Sequence, residues 1–256
     1  MPLIPVAHLP SSVRQALRRG FPRRASRLVP CRGVDAIQDL LSHELVDAVV
    51  VNADLTAPER LFRLSRQYPR IPFFAWGGFR PDAGALVAAC YRAGLSGVFV
   101  AEVDDAVAGE LLARRTASAA RRRLLADAPV RLRLTEAIQR RAFEEVLWRA
   151  GAPVVTADVA RTLRRSREHL SREFAAGGAP NLKRVIDLLR TVCAADLLGN
   201  PGYTVADVAA ILRFSSVGHL TLAADRIAGV RPAELAGLGP RGVFERFLKG
   251  RTRSRI

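Results

Sequence analysis

Lysine is almost missing from this chain: of 40 basic residues in 256, only Lys183 and Lys249 are lysines. Its basicity is therefore carried by arginine, a bias that a GC-rich genome also produces, and no base preference is read from it. Cysteine is scarce as well. Cys31, Cys90 and Cys193 are odd in number and far apart, which excludes a disulfide framework and a zinc-ligand pattern and fits a reducing cytoplasm. Long apolar runs are lacking; the stretches Ala48 to Val51 and Ala85 to Tyr91 are far too short to cross a bilayer, so no membrane partner is expected. The opening residues carry no basic stretch ahead of an apolar one, so no secretory signal is expected. No Walker loop, GxGxxG, HExxH or nucleophile elbow occurs. The commonest nucleotide, dinucleotide, zinc-protease and serine-hydrolase chemistries thus have no motif to rest on, and neither cofactor nor metal is expected.

What is present is a 49% hydrophobic chain, long enough for two domains that each bury a core. The net charge of +16 is uneven. Residues 1–120 hold 15 Arg and Lys against 11 Asp and Glu, a net of +4, whereas residues 121–256 hold 25 against 13, a net of +12. A basic half favours polyanions, nucleic acid first and an anionic membrane surface second.

Residues 1–115 alternate short apolar runs with amphipathic stretches. Strands are expected at Leu3 to Val6, Ser26 to Cys31, Val46 to Val51, Ile71 to Trp76 and Gly97 to Val100. Helices are expected at Ser11 to Arg19 with Ser11 or Ser12 as cap, Val34 to Ser42, Pro58 to Gln67, Asp82 to Ala93 and Asp104 to Arg115. Five strands alternating with five helices predict a flavodoxin-like, five-stranded parallel sheet covered on both faces.

This order and spacing resemble the receiver domain of bacterial response regulators. The resemblance implies carboxylates after the first strand for Mg²⁺, an Asp after the third as phosphoryl acceptor, a hydroxyl after the fourth and a Lys after the fifth. The corresponding positions here read Ala7-His8-Leu9, Asn52, Gly77 and Ala101. An amide accepts no phosphoryl group, so a degenerate receiver without phosphotransfer is expected. Asp54 lies two residues late; it is expected to face away from the acceptor site and to serve a turn or cap. His8 is read as a loop residue and Gly77-Gly78 as a plain turn. The last helix offers Val103, Val107, Leu111 and Leu112 as an apolar face for a homodimer.

Residues 116–133, with Arg121-Arg122-Arg123, read as a charged helical linker whose arginines form a solvated face. From Leu134 onward the periodicity is helical. Thr135 to Ala150 places Ile138, Ala142, Phe143, Val146 and Leu147 on one stripe, and Gly151-Ala152-Pro153 stops it. A repeat follows. Asp158-Val-Ala-Arg-Thr-Leu-Arg-Arg-Ser166 matches Asp207-Val-Ala-Ala-Ile-Leu-Arg-Phe-Ser215 at an offset of 49, and after one extra residue His169-Leu170 matches His219-Leu220. Each copy reads as helix, tight turn, helix. Thr156 and Thr204 are the candidate N-caps of the first helices and Ser166 and Ser215 of the second. Ala160 and Ala209 are small where helices cross, and Leu163 and Leu212 point inward. Between the copies Asn181 caps a long helix with the stripe Leu182, Val185, Ile186, Leu189, Val192, Cys193 and Leu197, ended by Gly199-Asn-Pro-Gly202.

Over residues 134–240 these two units, the linking helix, Phe214-Ser215-Ser216 and the ending Gly229-Val-Arg-Pro232 resemble the AraC/XylS family of bacterial transcription regulators. The chain departs from the family pattern at Arg213, where glycine is usual, at Leu220, where an aromatic is usual, and at Ala224-Asp225. The resemblance implies an all-α domain with two helix-turn-helix units that places a second helix of each unit in the major groove of double-stranded DNA. The residues projecting toward DNA would be Ser166, Arg167, Glu168, His169, Ser171 and Arg172 from the first unit, and Ser215, Ser216, Val217, Gly218, His219 and Thr221 from the second. Arginine can bond guanine edges and glutamate can accept from cytosine, while the second helix has no cation of its own. Residues 241–256 read as a basic tail.

Three functions compete. The first is a non-enzymatic, sequence-specific regulator in the cytoplasm whose receiver-like half dimerises, senses a small ligand or binds a protein. The second is an enzyme with a nucleotide-using α/β domain and a DNA-targeting tail. The third is a DNA-binding scaffold that senses nothing.

Overall fold

The computed structural model describes residues 2–21, 26–149, 151–175 and 178–251. They form two compact units. One runs to Ala120 and includes Asn200–Gly202; the other holds the remainder.

The first unit is a five-stranded parallel sheet: β1 (Leu3–Ala7), β2 (Arg27–Cys31), β3 (Val49–Asn52), β4 (Phe73–Gly77) and β5 (Gly97–Val100). Its strand order, β2-β1-β3-β4-β5, is that of a flavodoxin-like fold. Every residue of β1, β3 and β4 is buried, which is why they read as unbroken apolar runs rather than alternating ones. Edge strand β2 is half-exposed and carries Pro30, where a missing N–H costs least, although the buried β1 also holds a proline, Pro5. The helices are α1 (Ser11–Arg19), α2 (Val34–His43), α3 (Pro58–Gln67), α4 (Gly84–Arg92) and α5 (Ala108–Arg115). Ile4, Val6, Val50 and Phe74 pack with Leu17 and Leu112 into one core, and Phe74 stacks on Phe99 at 5.3 Å between ring centroids. Where α1 ends against α5 the backbones touch: a Cβ on Gly20 would lie 2.3 Å from the carbonyl carbon of Gly109.

Several local expectations need correction. Pro10, not Ser11 or Ser12, precedes α1, and no side chain caps that helix. The helix expected from Asp82 is a 3-10 turn, Pro81–Ala83, followed by α4. The one expected from Asp104 starts at Ala108, because the Asp104 carboxylate accepts the Val100 N–H at 2.7 Å and holds a turn there. Leu112 is fully buried, so only Val103, Val107 and Leu111 of the proposed apolar face reach solvent.

Helix α6 (Ala117–Leu124) follows. Asp47 in the first unit is 1% exposed, and its carboxylate accepts from the Ser118 N–H and hydroxyl at 2.6 and 2.8 Å and from Ser26 at 2.8 Å. Within the second unit Arg121 is buried and ion-paired with Asp196, and Arg122 lies 3.9 Å from the centre of the Trp148 ring. Of the arginine run read as a solvated face, the first member is instead a core ion pair and the second covers an aromatic ring. A buried guanidinium needs such a partner, since an unpaired one would leave water at a prohibitive cost.

The second unit is all helical: α7 (Ala128–Arg131), α8 (Ala137–Trp148), α9 (Thr156–Thr162), α10 (Arg167–Ala175), α11 (Leu182–Leu198), α12 (Val205–Ile211), α13 (Val217–Ala228) and α14 (Pro232–Arg251). The end of the helix expected to reach Ala150 falls on a residue outside those described. Asn181 caps α11, its side chain accepting the Arg184 N–H at 2.9 Å, as the sequence suggested. Helix α11 is buried nearly all round, including Leu188, Ala194 and Ala195 beyond its expected stripe, because α8, α12, α13 and α14 all pack on it. Helix α14 breaks at Gly239 and Pro240, yet its second half buries Val243, Phe244 and Phe247. Residues 241–251 are therefore a packed helix rather than a tail; residues 252–256 of that expected tail lie outside the described part. Among the described residues no helix is long and apolar enough to cross a membrane.

Candidate nucleic-acid interface

The repeat seen in the sequence is a repeat of backbone. Helix α9 ends with the Arg164 N–H on the Arg161 carbonyl at 3.1 Å and the Arg165 N–H on the Ala160 carbonyl at 2.9 Å. Helix α12 ends with Arg213 on Ala210 at 2.9 Å and Phe214 on Ala209 at 2.8 Å. This is the same Schellman closure twice. Arg164 and Arg213 both stand in the left-handed region, at φ 53° and 54°. That conformation costs a non-glycine residue roughly 1–2 kcal/mol. Ala160 and Ala209 are each 3% exposed at the crossings, and Leu212 is fully buried while Leu163 is half-buried.

The caps differ between copies. Thr204 accepts the Asp207 N–H at 3.2 Å while the Asp207 carboxylate accepts the Thr204 N–H at 2.8 Å, a reciprocal box. In the first copy the expected cap Thr156 is already the first helical residue, and the N-cap, at the position of Thr204, is Val155, which has no side-chain acceptor; only its N–H reaches Asp158, at 3.2 Å. Ser166 caps α10 by accepting from the His169 N–H at 3.1 Å. In the second copy Ser216, not Ser215, does the same for His219 at 3.2 Å, so the one-residue insertion is absorbed by the turn. The Ser215 hydroxyl instead meets Nδ1 of His219.

The proposed reading residues fall on outer faces. Arg167, Glu168, Ser171 and Arg172 are exposed on α10, with Leu170 and Phe174 buried beneath them. His169 is half-buried, its Nε2 3.7 Å from Glu173. On α13, Val217, Gly218 and His219 are exposed and Thr221 is half-buried, over buried Leu220, Ala223, Ala224 and Ile227. The hydroxyls of this second face are already engaged: Ser216 with its cap, and Thr221 donating to the Val217 carbonyl at 3.0 Å. Val217 and Leu222, at 43% and 66% exposure, give the outer face of α13 an apolar part, while the exposed Asp225 and Arg226 lie toward its end.

At the C-terminal edge of the sheet, Asn52 ends β3 and is 5% exposed. Its amide donates to the His8 carbonyl at 3.1 Å, and its oxygen accepts the Asp54 N–H at 2.9 Å. Both ends of the amide are thus spent on backbone. Asp54 does not face away: its carboxylate accepts the Gly78 N–H at 2.8 Å and closes over Gly77, where a Cβ would come within 3.0 Å of both carboxylate oxygens. The turn role expected for Asp54 holds; its expected direction does not. Among the described residues no three His, Cys, Asp or Glu side chains are grouped to hold a metal ion.

No family model and no curated protein matches this chain. One solved structure does. It is full-length FixJ from B. japonicum, 17% identical, covering 72% of this chain and 94% of that one at a TM-score of 0.37. At that score the functional reading has to rest on this chain's own residues.

Sequence reasoning missed two residues that position the turns. The Arg190 guanidinium of α11 donates to the Leu212 carbonyl at 2.7 and 3.2 Å and lies 3.8 Å from the centre of the Phe214 ring. Burial there pushes its pKa below the usual guanidinium value, though Asp187 opposes the change. Arg149, from the residue after α8, donates to the Thr162 hydroxyl at 2.7 Å and pairs with Glu145. Each arginine satisfies an acceptor at the end of a first helix, and nothing in the local pattern of either residue announces that partner. Also missed was the cluster Arg161, Arg164 and Arg165, which is exposed beside α10.

Proposed function

We propose that this chain is a sequence-specific, double-stranded-DNA-binding transcription regulator of the AraC/XylS type, acting in the cytoplasm and not an enzyme. One observation carries the proposal: the same helix, Schellman turn, capped helix is built twice around one buried helix, in residues with a net charge of +12. Two second helices held on one frame suit successive major grooves on one face of a duplex, about 34 Å apart. Phosphate contacts from so basic a unit would make binding steeply salt-dependent. Enrichment of one bipartite sequence from a randomised duplex pool by the purified full chain tests this; recovery of unenriched DNA, or of none, would defeat it.

The receiver-like unit is assigned a role without phosphotransfer, because an amide at Asn52 with both ends bonded offers no acceptor. Stoichiometric labelling by acetyl phosphate, lost on Asn52→Ala or Asp54→Ala, would refute that assignment. We assign the same unit to homodimerisation through exposed Val103, Val107 and Leu111, and to binding of a small ligand or a protein. Sedimentation at micromolar concentration should give a dimer that Val103→Glu dissociates, and ligand-dependent thermal shifts would identify what it senses.

A further inference from the structure

Five non-glycine residues of the described chain take positive φ: His8, Glu102, Arg133, Arg164 and Arg213. The last two are equivalent members of the repeat, each directly after a first helix and just before the cap of a second. Glycine is the residue that suits this position, and the chain uses it at the end of α13, where Gly229 takes φ 64°. Arginine is thus kept at both copies of the repeat where the backbone disfavours it, and once more outside the repeat, at Arg133 after α7.

The surroundings give neither side chain anything to do. Both are exposed, and neither guanidinium makes a hydrogen bond or an ion pair among the described residues. Their neighbours differ: Arg165 and Arg167 flank the first, whereas Phe214, committed to Arg190, follows the second. A strained backbone that the fold does not reward is the mark of a position held for a ligand. A guanidinium is always charged and presents a planar fork of donors that matches phosphate oxygens.

We infer that Arg164 and Arg213 are a matched pair of phosphate clamps, one ahead of each reading helix, gripping the backbone of duplex DNA. This rests on the DNA-binding function proposed above and extends it to two residues outside the reading faces. It also supplies the second unit with a cation that the proposed reading residues of α13 lack, Arg226 near the end of that helix being paired with Asp187. Such contacts fix register and carry no sequence information.

The test uses the full-length protein with a random-sequence duplex, titrated from low to high salt, and thermal unfolding without DNA. Arg164→Ala and Arg213→Ala should each weaken binding about five- to tenfold and make the log-log salt slope shallower by about 0.9, without changing the sequence enriched from a pool. Arg164→Gly and Arg213→Gly should lose binding equally but melt a few degrees higher, since glycine relieves the backbone. Arg66→Gln, an exposed change on the first unit, should leave the slope unchanged. If wild type binds steeply and the double alanine variant keeps that slope, the clamps are refuted while DNA binding stands. If wild type binds no duplex at low salt, the functional proposal falls first. If the glycine variants bind DNA as wild type does, or only capture of an acidic protein is lost, the clamps are likewise refuted.

Discussion

The two helical repeats share a backbone and differ in what they show to solvent. Helix α10 exposes Arg167, Glu168, Ser171 and Arg172, and the helix before it, α9, starts without a reciprocal box. Helix α13 is longer, leans on α11 and α14, follows a box-capped α12, and exposes Val217, Gly218, His219 and Leu222. The better supported copy is the chemically quieter one. Under the DNA-binding function proposed above, support and chemistry would be separated: one unit would anchor and offer apolar contact of the kind thymine methyl groups accept, while the other would carry groups able to read guanine and cytosine edges.

The largest effects should come from beneath the two faces. Leu170→Ala and Leu220→Ala each empty a fully buried site and should cost about 2–5 kcal/mol. Denaturant unfolding followed by Trp148 fluorescence, in a Trp76→Phe background, should find the larger loss at Leu220, because α11 and α14 pack more extensively on α13 than any helix packs on α10. A reversed order would break the claim that the second copy is the firmer.

Next comes binding. With the bipartite site expected for this function, Arg167→Ala or Arg172→Ala should cost roughly 1–3 kcal/mol where the lost contact is to a base, and relax specificity in one half-site. Ser216→Ala, Thr221→Ala or Leu222→Ala should cost less than about 1 kcal/mol, near the value of one buried methylene. Abolished binding in the second set, with the first set intact, would invert the assignment of the two reading faces.

A smaller effect would convert one copy toward the other. Val155→Thr supplies the hydroxyl that Thr204 already has, and should stabilise the second unit by about 0.5–1 kcal/mol; Thr204→Val should cost about 1 kcal/mol. Thermal unfolding of both variants checks the pair, and equal shifts of the same sign would mean that the caps are not what distinguishes the copies.

The smallest effect is acidic. Arg131 holds α14, the helix behind α13, through Glu245 at 2.7 and 2.8 Å, and its guanidinium keeps the Glu245 carboxyl below its ordinary range. A depressed carboxyl pKa contributes stability that is complete above the unfolded value, about 4.3, and is lost as pH falls through the lower folded value. The pair is partly exposed, so the melting temperature of wild type should fall only slightly more than that of Glu245→Gln between pH 5 and pH 3.

Strands β3 and β4 were legible because burial on both faces leaves an unbroken apolar run, and β5 because it is bracketed by turn residues. The repeat was legible because each turn needs the same small and capping residues. What escaped is non-local. Arg121 looks like any solvated arginine until Asp196, far along the chain, is folded against it. Asp54 looked misplaced until Gly77, which has no side chain to obstruct it, came beneath its carboxylate. Ser215 looked like a cap because the offset of 49 was carried one residue too far. Phe247 resembled part of a charged tail because Arg241, Arg246, Lys249 and Arg251 surround it in sequence.

That shifted serine has a consequence for how much length the chain can gain or lose. Leu170 and Leu220 are 50 residues apart and both fully buried, although the first helices of the copies are 49 apart. The extra residue therefore sits in the bend, and the inward side of α13 was not rotated by it. A residue inserted beyond Val217 would have turned everything after it by about 100° and put Leu220 into water. The bend after Phe214 is thus the place where duplicated copies of this unit can drift in length and still fold, and a tag or linker residue should be accepted there before it is accepted anywhere in α13.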